Sequence, residues 1–180
     1  GSVLPKFFNP MNKTIGVFTG SKTAPNIELA ATNIGKSLSS NFTTHLISTS
    51  ESFSDKVNGY DKAEGYTNGS SQLGEISALL SYLQSHSPDA LFQITAPPLH
   101  GSIVGSIASI YNIPFIYRYN GDRFGEYHYS SGINRLSHFM LNNILGSYPL
   151  LLADSYITMG PAGKQQLVAR GIDEKEISII

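Results

Sequence analysis

The stretch PDALFQITAPPLHGSIVGSIASIYNIPFIYRYN, residues 88–120, decides the fold class. Ala90–Ile94 is a short apolar run bounded by Pro88-Asp89 and by the break at Ala96-Pro97-Pro98, and it reads as a buried strand. From about His100 to Tyr111 the residues Ile103, Val104, Ile107 and Ile110 return at helical spacing. Gly101, Gly105 and Ser109 are small enough to let that helix lie close on a sheet. Pro114–Tyr119 then reads as a second strand. Strand, helix and strand within about thirty residues make a βαβ unit, which implies parallel strands and a right-handed crossover.

The same alternation extends in both directions. Upstream, Thr14–Thr19 is a strand, followed by a helix from about Asn26 with Ile27, Ala30, Ala31, Ile34 and Leu38 on one face. Thr43–Ser48 is a strand, and the polar run from Glu51 to Ser70, with turn signals at Asn58-Gly59 and Asn68-Gly69, reads as an irregular or short-strand excursion. A helix near Ser71–Ser85 carries Leu73, Ile76, Leu80 and Leu83 on one stripe. Downstream, an amphipathic helix over Ile133–Leu145 is expected to pack its apolar face on the sheet. The strand Ser155–Thr158, a helix Pro161–Arg170 closed by Gly171, and a strand Ile177–Ile180 follow. The chain therefore reads as α/β, a Rossmann-like doubly wound parallel sheet. Residues 1–12 form an N-terminal extension whose Gly1-Ser2 start resembles a tag remnant, and residues 13–180 form one domain. The sequence stops inside an apolar strand-like run, which predicts a cut at a domain boundary and a partner domain beyond it.

Composition narrows the class. Apolar residues make up 41% and charged residues 14%, as expected of a packed domain with a weakly charged surface. The net charge is −1 with no run of like charge, so neither nucleic acid nor an acidic membrane is an expected electrostatic partner. Cysteine is absent, which excludes disulfides, thiol catalysis and Cys-ligated zinc, and it suits a cytoplasmic location. No apolar run reaches the ~18 residues of a membrane span. The histidines lack metal-ligand spacing, so no metal is expected.

In a doubly wound sheet, ligands bind beyond the carboxyl ends of the strands. Three loops fall there. Gly16–Thr23 matches the phosphate loop G-x-x-x-x-G-K-[ST] except that Ser21 replaces its second glycine, and Pro25 delays the helix that should begin at Lys22-Thr23. Gly20, Ser21 and Lys22 then either favour an anion or sugar hydroxyl at the helix entry or form a plain connector. In Thr95–Gly101 the prolines deliver His100 to the start of the next helix, where it faces a ligand or caps the helix. Tyr117–Tyr127 gathers Arg118, Arg123, Asp122, Glu126 and three tyrosines. Arginine suits fork-like contacts with phosphate, tyrosine suits stacking and aspartate suits paired hydroxyls. Pocket placement favours a binding role for this loop over a solvated Asn120-Gly121 turn.

The order of landmarks resembles the N-terminal lobe of GT-B-fold retaining glycosyltransferases, the large group labelled glycosyl transferases group 1. The helix Asn26-Ile27-Glu28-Leu29-Ala30 follows the first loop, and Pro88-Asp89-Ala90 leads a strand that ends near His100-Gly101. Tyr111-Asn112-Ile113-Pro114-Phe115-Ile116 is similar to the family's helix end, Ala153-Asp154-Ser155-Tyr156-Ile157-Thr158 to its "AD-x-[IV]" strand, and Gly171 to Ile180 to its run before the interlobe linker. The resemblance covers nearly the whole chain. It implies an acceptor-binding lobe of a two-lobe enzyme that transfers a sugar from a nucleotide sugar with retention and without a metal. The acceptor would be a sugar or glycolipid, and the donor would be held by the enzyme's own C-terminal domain. Gly20, Ser21 and Lys22 would approach the donor, with His100, Arg118, Arg123 and Tyr127 as binding residues. Asn120 stands where the family often has a histidine, which with Asp122 gives the implied catalytic pair. A weak attachment to the inner face of a membrane stays open. The alternative is a non-catalytic Rossmann-like module that binds a sugar or nucleotide.

Overall fold

A computed structural model describes residues 13–66, 71–120 and 126–179. Among them are the strands β1 (Thr14–Gly20), β2 (Thr43–Ser48), β3 (Lys62–Gly65), β4 (Ala90–Gln93), β5 (Phe115–Tyr119), β6 (Ser155–Thr158) and β7 (Ile177–Ile179). All pair in parallel in the order β3-β2-β1-β4-β5-β6-β7. The helices are α1 (Pro25–Leu38), α2 (Glu51–Ser54), α3 (Gln72–Ser85), α4 (Pro97–Tyr111), α5 (Gly132–Phe139), α6 (Tyr148–Leu152) and α7 (Pro161–Ala169). The doubly wound sheet read from the sequence is the one observed, and the excursion after β2 holds the short strand β3.

The two-residue period of the strands sorts the core into two layers. Phe92, Ile116 and Ile157 point to one face, where Ala31, Ile34 and Leu38 of α1 and Phe53 at α2 meet them. Leu91, Phe115, Tyr117 and Tyr156 point to the other, against Leu79 and Tyr82 of α3, Val104 and Ile107 of α4, Leu150 of α6 and Leu167 of α7. Two glycines set the spacing of that second layer. A Cβ on Gly101 would sit 2.7 Å from the Tyr117 ring, and one on Gly105 would sit 2.9 Å from Phe115. Ser109, the third small residue of that series, is exposed.

Aspartates close the amino edge of the sheet. Asp89 accepts from Thr14 N–H and Lys13 Nζ, Asp61 from Thr44 N–H, and Asp154 from Phe115 N–H. Asp89 and Asp154 satisfy the first donors of β1 and β5, and Asp61 satisfies the second donor of β2, whose first, Thr43 N–H, bonds the Lys13 carbonyl.

Three expectations are corrected. Helix α4 begins at Pro97 rather than near His100, because Ala96 takes a left-handed conformation (φ 40°) and sets both prolines in the first turn. Helix α3 is rotated from the expected stripe: Glu75, Ala78, Leu79 and Tyr82 are buried, Ile76, Leu80 and Leu83 pack half-buried against the same core, and Leu73 is exposed. The amphipathic segment is α-helical only to Phe139 and then continues through a π-helical turn at Met140–Ile144. Its Ile133 and Leu136 face outward, because α6 rather than α5 takes the place on the sheet against α4.

Candidate functional site

Parallel pairing brings Gly20, Ser48, Gln93, Tyr119 and Thr158 to one carboxyl edge. The strand order reverses between β1 and β4, so the loops after these two strands diverge to opposite faces and leave a crevice between them. Ser21 follows β1, and Thr95 and His100 follow β4, so all three lie at this switch point.

A buried polar chain ties the two loops together. Glu75 of α3 accepts at Oε1 from Ser21 N–H (2.9 Å), Ser21 Oγ–H (2.7 Å) and His100 Nε2 (3.0 Å). Thr95 Oγ1 spends its one hydrogen on the Thr19 carbonyl (2.9 Å) and therefore accepts from His100 Nδ1–H (2.7 Å). Both ring nitrogens of His100 thus donate, and Glu75 and His100 form an ion pair that is almost fully buried. Burial pushes the Glu75 carboxyl up, but the His100 and Ser21 hydrogen bonds outweigh it and hold the group at about 2.

Gly20 is required by this arrangement. Its φ of +60° is left-handed, and a Cβ there would lie 2.7 Å from both Glu75 Oε1 and His100 Cε1. The Ser48 hydroxyl and the Thr49 N–H then hold the Gly20 carbonyl. Ser21 is half-buried, while Lys22 is exposed. As the sequence indicated, α1 starts only at Pro25, so the loop is not wrapped by a helix beginning at Lys22-Thr23.

On the far side of the switch point, Asn120 Nδ2 donates to the Ile94 carbonyl (3.3 Å), while its Oδ1 is buried without a partner. Arg118 leaves the opposite face of the sheet from His100. It donates through Nη1 to the same Ile94 carbonyl and through Nη2 to Met159 Sδ. Burial pulls the Arg118 guanidinium below its ordinary value. Asp122 and Arg123 lie outside the described residues, and Tyr127 falls in the 3-10 turn Glu126–Tyr129. The structure therefore brings Gly20, Ser21 and His100 together, and Arg118 with Asn120. Among the described residues no group of three His, Asp or Glu side chains is placed to hold a metal ion, and no helix is long and apolar enough to cross a membrane.

Sequence reasoning missed Glu75. Its signal was present: residues 75, 78, 79 and 82 follow the i, i+3, i+4, i+7 series, with a carboxylate where an apolar residue is expected.

No protein-family model matches the chain, and no curated protein matches it in sequence. Solved structures do match in fold. The UDP-GlcNAc 2-epimerase from Neisseria meningitidis bound to UDP-GlcNAc is 16% identical, with a TM-score of 0.64 over 93% of this chain and 46% of that one. The UDP-GlcNAc 2-epimerase from Methanocaldococcus jannaschii is 14% identical, with a TM-score of 0.63 over 93% and 45%. Anabaena Alr3699/HepE in complex with UDP-glucose is 16% identical, with a TM-score of 0.60 over 93% and 43%. The chain spans less than half the length of each. The likeness establishes the fold, the Rossmann-like lobe that the GT-B resemblance led us to expect.

Proposed function

We propose that this chain is one lobe of a GT-B-type enzyme acting on a nucleotide sugar, with the carboxyl edge of its sheet turned to the substrate. The observation that carries the reading is the fold likeness over 93% of the chain to proteins solved with UDP-GlcNAc and UDP-glucose. The local geometry supports it: Gly20-Ser21 is clamped to Glu75 and His100 at the switch point, and Asn120 holds an unsatisfied carbonyl oxygen on the other side of the crevice. In this reading Gly20, Ser21 and Lys22 approach the donor's phosphates, Asn120 and Asp122 face the reacting sugar, and Arg123 and Tyr127 contact the acceptor. A second lobe carries most of the donor contacts. No metal takes part, and the enzyme works in the cytoplasm.

The reaction we favour is retaining transfer of the sugar to an acceptor, supported by the ordered landmarks from Pro88 to Ile180. A second reading, inversion at C2 of the donor sugar, is supported by the epimerases among the fold neighbours. The two-lobe protein incubated with UDP-GlcNAc or UDP-glucose separates them. Transfer releases UDP only when an acceptor sugar or glycolipid is added. Epimerisation yields the C2 epimer, seen by proton NMR, with no acceptor present. Neither product from a panel of nucleotide sugars, together with no binding of UDP by calorimetry, overturns the reading altogether.

A further inference from the structure

On the face of the sheet opposite His100, α1 and the short α2 are the helices that pack among the described residues, and the β5 and β6 side chains turned to that face, Ile116, Arg118 and Ile157, are buried. A cavity of about 390 Å³ lies there between α1 and the sheet. That volume falls within the range of small-molecule sites, roughly 300–1,000 Å³. Its floor is apolar, made of Phe92, Ile157 and Met159, and Asn33 and Ser37 of α1 stand along its lip. Among the described residues that line it, Arg118 is the one ionised side chain.

Arg118 is only 8% exposed, no carboxylate among the described residues pairs with it, and its Nε has no hydrogen-bond partner. Its hydrogen-bond acceptors, a backbone carbonyl and a thioether, are both neutral, and the Tyr60 hydroxyl that acts on it electrostatically is uncharged at neutral pH. A guanidinium taken out of water without a counter-charge is destabilising, so its presence calls for an anion. The planar guanidinium suits a carboxylate or a phosphate in geometry, but one cation balances one negative charge, which a carboxylate carries and a dianionic phosphate exceeds. The apolar floor requires a hydrocarbon body behind that charge.

We propose that the cavity between α1 and the sheet is a binding site for a small amphipathic carboxylate, its charge on Arg118 and its body over Phe92, Ile157 and Met159. The site lies on the face of the sheet opposite His100 and meets the loop after β4 at the Ile94 carbonyl, which Arg118 shares with Asn120; the argument for it does not use the nucleotide-sugar reading.

The test titrates the 180-residue chain with 4-phenylbutyrate and with its neutral amide, following melting temperature and amide proton shifts. The acid should bind saturably, shift resonances of α1 and β6, and bind about tenfold tighter than the amide, the discrimination expected of one charge-assisted contact. Arg118→Met should abolish the preference for the acid and melt at or above the ligand-free parent, since an uncompensated buried charge is gone. Ser37→Phe, on the exposed lip, should keep the fold and lose both ligands, and it decides the matter if Arg118→Met does not fold. Equal binding of acid and amide overturns the proposal, as does a preference for the acid that survives in Arg118→Met, undiminished binding in Ser37→Phe, or no saturable binding of either compound.

Discussion

Glu75 fixes the first loop of the sheet through a single oxygen. Ser21 N–H, Ser21 Oγ–H and His100 Nε2 converge on Oε1. Removing one member of a buried ion pair leaves an uncompensated charge, so Glu75→Ala should lose ~3–5 kcal/mol in urea unfolding. Glu75→Gln keeps an acceptor and should lose less. The pH dependence follows from the sign of the shift. The folded carboxyl sits at about 2, below its ordinary 4.5, so its contribution is complete above pH 4.5 and is lost as pH falls toward 2. The melting temperature of the parent should therefore drop more steeply across that window than that of Glu75→Gln, and parallel curves would remove the ion pair from the account. Gly20→Ala meets both a left-handed φ and a contact at 2.7 Å with this pair, and we expect a loss of ~1–3 kcal/mol by the same assay. Ser21, Glu75 and His100 lie far apart in sequence. The rigid loop was visible at Gly20 and Pro25, but the carboxylate that holds it comes from a helix fifty-four positions away.

At the scale of elements, the errors lie where several apolar stripes compete. Helix α3 offers two, one through Leu73, Ile76, Leu80 and Leu83, the other through Glu75, Ala78, Leu79 and Tyr82. Hydrophobicity alone favours the first. The second takes the fully buried position, with Ile76, Leu80 and Leu83 half-buried beside it, because Glu75 is satisfied by Ser21 and His100, and Tyr82 bonds His45 through its hydroxyl while filling the core. Between Asn120 and Ser155 the sequence carries more apolar residues than one layer over the sheet can bury. Pro149 and Leu150 win the space beside Gly101 and Tyr117, and Ile133 and Leu136 are left outside. The contrast gives a paired test by thermal or urea unfolding. Leu150→Ala should cost ~2–4 kcal/mol through the cavity it opens. Leu136→Ser should stay within about 0.5 kcal/mol, as exposed substitutions usually do. Equal losses would mean that α5, not α6, supports the core.

At the scale of the whole molecule, the sheet was the most legible feature, because residues 88–120 contain a complete crossover and every later strand repeats its pattern. The aspartates among the landmarks also have a physical reason. Asp89 and Asp154 precede β4 and β6 and accept the first N–H of neighbouring strands, so they report the amino edge of a parallel sheet rather than a chemistry. The site we propose lies at the opposite edge, in loops whose partners come from distant helices, and there the sequence left alternatives open. The reading we propose assigns the donor to a second lobe, and the chain spans less than half the length of its fold neighbours. A cleft needs both walls: catalysis depends on holding donor and acceptor within about 3–3.5 Å in a fixed orientation, and one wall cannot do that. The 180-residue chain alone should therefore fold cooperatively, yet release no UDP above the buffer rate from UDP-GlcNAc or UDP-glucose with any acceptor in a coupled assay, and leave the sugar's configuration at C2 unchanged by NMR. Joined to its second lobe, the same chain should turn over, and Asn120→Ala should then lower kcat/KM by at least about tenfold with an unchanged melting temperature. Sustained turnover by the 180 residues alone would place the whole active site within this sheet and overturn the two-lobe reading.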